Sequence, residues 1–471
     1  MGALGAISSS VLTTNLWDFE SPCAAAAANA RAYGGGKINI VVTVGATGDT
    51  ASLESYHYKD GSGNTLPVDS GAIGRFRAGL EKCFKAAVDA GFSTIHVLPH
   101  VDPVNRSGGN MRNVVKFDPL AKIGPAGQQF SYDEVVLRPI AEALNAATRA
   151  DTRAEITLAG EQGLSVFSFP RAWAGLLGST KAASSKGKDA SRHTAGISFN
   201  WDKVCGCVEP EERDPLLYNT TYNERFERFK GRGGLGSIDV GGVKDLLDKS
   251  DFIGISAYAS LPPGELTPAS HDVSAQTANF EFNSFGIDLK EYMFSKGKPF
   301  VFSEQGLGGC QSNDAVAPDL GYLAKHPFQG CWGGAYDPSR DPWKNAEFRA
   351  YRRRFYETLS QYVKNGGGQY RVDDVFVWTI GSWDVLGIHP TSSSQSGSWR
   401  DDAIVSNVKS INGGGGVVTN TPAPATPAGN GGGGGGGDGG GAAGALGRIG
   451  SFITGGSTSP GPLFFFGRRL R

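Results

Sequence analysis

Long apolar runs, cysteine and net charge are all scarce in this chain of 471 residues. Each shortage excludes something. No uninterrupted apolar run reaches the ~18 residues that a membrane-spanning helix needs, and mean hydropathy is −0.24. Forty-five Lys and Arg stand against 46 Asp and Glu, for a formal charge of −1. That balance excludes a polybasic nucleic-acid arm or an acidic tail as the organising feature, so no nucleic-acid partner is expected. Six cysteines (23, 83, 205, 207, 310 and 331) are too few for a disulfide scaffold at this size. Cys205-Gly-Cys207 lacks the spacing of a zinc knuckle, and His is sparse, so neither a metal site nor a cofactor is expected. The first twelve residues hold no Lys or Arg, and no convincing signal peptide opens the chain.

Glycine is the one excess. Of 69 glycines, 22 fall in residues 413–471, around a Thr-Pro-Ala-Pro-Ala-Thr-Pro segment. Such a composition cannot bury enough apolar surface to offset chain entropy. The chain therefore reads as one folded unit over 1–412 and a disordered, Gly/Pro-rich linker and tail over 413–471.

Within the first part, β-branched runs alternate with helical patterns. The runs are Ile38–Val44, Thr94–Leu98, Glu155–Ala159, Gly196–Phe199, Phe252–Ala257, Pro299–Ser303 and Asp374–Thr379, with Ser8–Thr14 available as a first strand. Helices are expected from Ser21 (cap) with Pro22 in the first turn, and over Arg75–Ala90, Glu134–Ala147 and Asn345–Lys364. Eight strands alternating with helices is the count of an α/β (β/α)8 TIM barrel, enlarged here by long loop insertions. A doubly wound sheet would want a Gly-x-Gly-x-x-Gly turn after its first strand, which is absent.

In such a barrel the chemistry gathers where strands end. Strand three ends at His100-Val-Asp102, strand four at Glu161-Gln162 and strand five at Asn200-Trp201-Asp202. Strand six ends at Tyr258, strand seven at Glu304 and strand eight at Trp378 and Trp383. Two carboxyls on facing strand ends suit glycoside cleavage, with a separation of about 5–5.5 Å for retention of configuration. The aromatics offer flat faces to sugar rings. An aldolase or lyase would want a strand-end Lys or a phosphate loop, and neither is present.

These residues resemble the clan A glycoside hydrolases, and most closely glycoside hydrolase family 113, the endo-β-mannanases. The matching segments are Pro99-His-Val-Asp102, Gly160-Glu-Gln162, Asn200-Trp-Asp202, Asp251-Phe-Ile-Gly-Ile-Ser-Ala-Tyr258 and Lys298-Pro-Phe-Val-Phe-Ser-Glu304. Gly160 departs from the pattern, because most of the clan has Asn there. The resemblance implies a monomeric retaining hydrolase of β-linked polysaccharide or oligosaccharide, with β-mannan one substrate, and so an extracellular or cell-wall place. It implies Glu161 as acid/base with a raised pKa and Glu304 as an ionised nucleophile held by Tyr258. His100, Asp102, Asn200 and Asp202 would bond the sugar. Trp201, Trp378 and Trp383 would line its path, with Trp378 beneath the ring being cleaved. The rival reading is a carbohydrate-binding barrel that has lost turnover.

Overall fold

The computed structural model describes residues 6–13, 20–59, 64–103, 112–208, 218–312, 315–330, 341–380 and 401–413. Each β-branched run overlaps a strand. In chain order the strands are β1 (Ala6–Thr13), β2 (Lys37–Gly48), β3 (Leu53–Lys59), β4 (Thr65–Pro67), β5 (Thr94–Pro103) and β6 (Arg153–Gly160). They continue with β7 (His193–Asn200), β8 (Ile253–Ser256), β9 (Phe300–Gln305), β10 (Cys310–Ser312), β11 (Ala315–Val316) and β12 (Asp374–Ile380). The main sheet runs β1-β12-β9-β8-β7-β6-β5-β2-β3-β4. Every pairing from β1 round to β2 is parallel, and β1 pairs in parallel with β2 as well as with β12, Ser10 lying opposite Asn39 and Ala6 opposite Asp374. The fold is thus mixed α/β around a curled, mainly parallel sheet, whose eight parallel strands all end on one side.

The antiparallel β2-β3-β4 extension is absent from the sequence reading. β2 runs on to Gly48, past the expected end at Val44, and turns back into a Tyr- and His-bearing strand with little β-branching. Gly45 permits that pairing, since a Cβ there would collide with the His57 ring.

The helices are α1 (Glu20–Ala30), α2 (Ser70–Asp89), α3 (Arg138–Ala147), α4 (Gly163–Ser168), α5 (Pro170–Ser184) and α6 (Tyr218–Gly231). After them come α7 (Val240–Lys249), α8 (Val273–Ser284), α9 (Leu320–Lys325), α10 (Ala346–Lys364) and α11 (Asp402–Asn412). α1 starts at Glu20, one residue before the Ser21 expected as its cap. α2 is capped by the Asp69 carboxylate and buries Phe76, Leu80, Phe84 and Val88, the four-residue stripe that the sequence displays. Asn345 caps α10 through two backbone N–H groups. The α2, α3, α5 and α7 helices pack side by side in that order. A Cys23–Cys83 disulfide ties α1 to α2, and α11 is fastened by Asn412, whose amide donates to the Tyr33 carbonyl.

The N-terminal end of the sheet is closed by charge. Lys37 donates to Glu155 at 3.0 Å and to Asp374 at 2.5 Å, and His96 lies 3.4 Å from the same glutamate. A large apolar core fills the space between helices and strands. A second cluster of Val41, Leu98, Tyr258 and Trp378, with Trp201 packed against it, lies apart from that core.

Candidate active site

Strand β6 delivers Glu161 in an unusual backbone state. Its φ is 58°, and it is the only non-glycine residue among those described with a positive φ. Such a conformation costs about 1–3 kcal/mol and persists only where the surroundings impose it. They do so here: the Glu161 N–H donates to Ser198 O at 3.0 Å, and the Asn113 amide donates to Glu161 O at 3.2 Å. Glu304 arrives differently, as part of the regular strand β9, 2% exposed. Two strands, β7 and β8, stand between the two carriers.

Each carboxylate has its own donors. Asn200 Nδ2 donates to Glu161 Oε1 at 3.0 Å, and Arg112 Nη1 stands 3.6 Å from Oε2. Asn200 Oδ1 accepts the Asp202 N–H at 3.2 Å, which fixes the amide with its nitrogen toward Glu161. Tyr258 donates to Glu304 Oε2 at 3.2 Å, and His100 Nε2 lies 3.4 Å from Oε1. Arg112 also contacts the other ring nitrogen of His100, Nδ1. A guanidinium can only donate, so Nδ1 is the acceptor and Nε2 carries the ring proton. Arg112 Nε closes the network on Asp102 at 2.9 Å.

Three carboxyls thus surround one guanidinium. Burial works against the charge on Arg112, but Asp102, Glu161 and Glu304 outweigh it and hold its pKa above the ordinary value. Burial first, and then the charge of Glu161, push Glu304 well above the usual carboxylate range, against the pull of Arg112 and the Tyr258 hydroxyl. The upward push therefore falls on Glu304 in the unliganded site. The physical reason is burial, since Glu304 sits inside the sheet.

Of the ten residues singled out from the sequence, His100, Asp102, Glu161, Asn200, Tyr258 and Glu304 join this network. Trp201 and Trp378 adjoin it through Tyr258, in the small apolar cluster. Asp202 engages differently: its carboxylate pairs with Lys203 at 2.7 Å, and its backbone positions Asn200. Trp383 lies outside the described residues. The sequence reading missed Arg112 and Asn113, which a short 3-10 turn at Arg112–Val114 carries into the site. Their signal was indirect, since several acids gathered at strand ends call for a nearby cation.

No family model matches the chain, and no curated protein matches it. Among solved structures the chain is similar to a GH113 β-1,4-mannanase, at 13% identity over 80% of this chain and 89% of the other, with a TM-score of 0.41. It is also similar to an endo-β-1,4-mannanase double mutant from Cellulomonas fimi, at 13% identity over 85% and 71% of the two chains and a TM-score of 0.35. A β-glucosidase mutant of hyperthermophilic derivation is 12% identical over 87% and 95%, again at 0.35. At such low scores the functional reading rests on the chemistry of the site itself.

Proposed function

We propose that the chain is a retaining glycoside hydrolase, acting on β-linked polysaccharide or oligosaccharide, with residues 1–412 as its catalytic unit on a closed (β/α)8 barrel. The parallel pairing of β1 with both β2 and β12 supports the closure. The observation that carries the activity is the charge-coupled pair of carboxyls, Glu161 and Glu304, each served by separate donors. Surface acids have no such arrangement, and the backbone cost at Glu161 is otherwise without return.

In the first step Glu161 gives its proton to the glycosidic oxygen as the Glu304 carboxylate bonds to the anomeric carbon and the C–O bond breaks. In the second, Glu161 takes a proton from water, whose oxygen displaces Glu304 from the sugar. Catalysis needs the microstate with the proton on Glu161 and Glu304 ionised. Tyr258 favours that state by donating to Glu304 Oε2, while His100 Nε2 stands 3.4 Å from Oε1. Trp201, Tyr258 and Trp378 line the path of the sugar. The Cys23–Cys83 and Cys205–Cys207 disulfides fit an oxidising compartment. β-Mannan is the first substrate to try.

The raised pKa of Glu304 favours a second reading, in which Glu304 donates the proton and Glu161 attacks. Two variants separate the readings. Glu304→Gly should be inactive on every substrate and regain turnover with azide, giving a glycosyl azide of inverted configuration. Glu161→Ala should fail on natural sugars but keep the first step on activated aryl glycosides, which need little protonation. The opposite pattern assigns the reversed roles. Losses under about tenfold in both variants, roughly 1.4 kcal/mol of barrier, would make both glutamates structural.

A further inference from the structure

Only four large apolar side chains among the described residues are strongly exposed: Leu120, Leu235, Phe294 and Phe328. Phe294 lies in the turn that precedes β9, toward the charged end of the sheet. Phe328 belongs to the other end. It is 42% exposed, and its ring meets Tyr258 edge-on, with centroids 5.0 Å apart at 70°. Tyr258 is the residue that donates to Glu304. A half-exposed aromatic ring therefore stands one side chain away from a candidate catalytic carboxyl.

The backbone on both sides of Phe328 is pinned. Pro327 O accepts the Gly308 N–H at 2.7 Å, and Gln329 O accepts the Cys310 N–H at 3.0 Å. Both donors belong to the segment that leaves β9 just after Glu304. A Cβ at Gly308 would collide with the Gln329 carbonyl, so the close approach of the two segments depends on glycine. Cys310 is itself disulfide-bonded. From another side, Leu261 N–H donates to Ala324 O at 2.9 Å, which joins this region to the chain beyond Tyr258. A half-exposed ring whose backbone is pinned by so many bonds is pre-organised, and contact with it carries little ordering cost.

We propose that Phe328 is a stacking platform for a pyranose unit next to the scissile bond, so that the site prefers oligosaccharides or longer chains to simple monoglycosides. The proposal rests on the glycosidase reading given above and adds a specificity-determining residue to it. The flat apolar face of a pyranose matches an exposed phenyl ring, and the stack is worth about a three- to tenfold gain in affinity. A unit bound there lies beyond the Tyr258 ring, one sugar out from the anomeric carbon that faces Glu304.

The test uses the full chain, with β-1,4-linked manno-, cello- and xylo-oligosaccharides from the disaccharide to the hexasaccharide, alongside the matching 4-nitrophenyl β-monoglycosides. On the series that is cleaved, Phe328→Ala should lower kcat/KM about three- to tenfold for the longer oligomers, mainly through KM, and leave the aryl monoglycoside unchanged. Phe328→Tyr should keep the wild-type preference for length. An equal loss on both substrate classes would make Phe328 a prop for Tyr258 and overturn the proposal. Unchanged kinetics on both would overturn it as well. If the wild-type chain cleaves none of these substrates, the glycosidase reading falls first and the platform falls with it.

Discussion

A Cβ added at Gly160 would stand 2.6 Å from Cδ2 of His100, in the space that the imidazole ring occupies. The residue before Glu161 therefore has to be small because the ring that faces Glu304 needs its room. Asn200, from the neighbouring strand β7, supplies the amide that touches Glu161. The departure at position 160 and the His100–Glu304 contact are two sides of one packing constraint.

Gly160→Ala should accordingly displace His100 or shift β6. Pro99 O lies only 2.7 Å from the added atom as well, so rotating the ring cannot relieve the clash. The expected cost is about 1–3 kcal/mol of stability, read by thermal or denaturant unfolding, and a kcat loss of tenfold or more. Gly160→Asn should be worse. Unchanged stability together with unchanged kcat would show that the site tolerates a larger residue at this point.

Glu304 makes the unliganded protein less stable as the pH rises. Its folded-state pKa lies well above the value in the unfolded chain. The folded state thus binds more proton between those two values, and stability falls as the pH climbs through that window. Glu304→Gln keeps the shape and removes the ionisation. It should raise Tm by a few degrees at pH 7 and by little below about pH 4, where the wild-type carboxyl is protonated in both states. A lower Tm at neutral pH would contradict this sign.

Arg112 holds down the pKa of Glu304 by its charge. Arg112→Met removes that pull, so Glu304 should ionise only at higher pH. Under the proposed roles, the acid limb of the kcat/KM profile should move upward in pH, with a loss of activity at neutral pH of about tenfold or more. Arg112→Lys should restore the limb in part, because it keeps the charge but not the forked contacts to Asp102 and His100. An acid limb that stays in place would show that the guanidinium acts only as a structural tie.

Truncation after Asn412 should leave kcat on a soluble substrate within about twofold. Helix α11 ends there, with Asn412 bonded to Tyr33 O, and the Gly/Pro-rich composition beyond cannot build a packed shell around the site. A large fall in kcat would place the tail at the cleft.

Local pattern marked the eight parallel strands, four of the described helices and the two strand-end glutamates. Periodicity and caps are local properties: the Phe76–Leu80–Phe84–Val88 stripe and the Asn345 cap are written in neighbouring residues. The six strand-end residues that meet in the site were legible because parallel strands bring their C-terminal ends to one side. What the tertiary structure alone decided depends on contact between segments far apart in the chain. Arg112 enters from a short turn with no periodic signature and touches Asp102, His100 and Glu161 at once. The β2–β3 pairing depends on the fit of Gly45 against His57, and the exposure of Phe328 on backbone bonds to residues near 308–310. The upward push on Glu304 comes from burial and from a neighbouring charge. Both act through space and depend on depth and distance, quantities that one residue's place in the sequence does not carry.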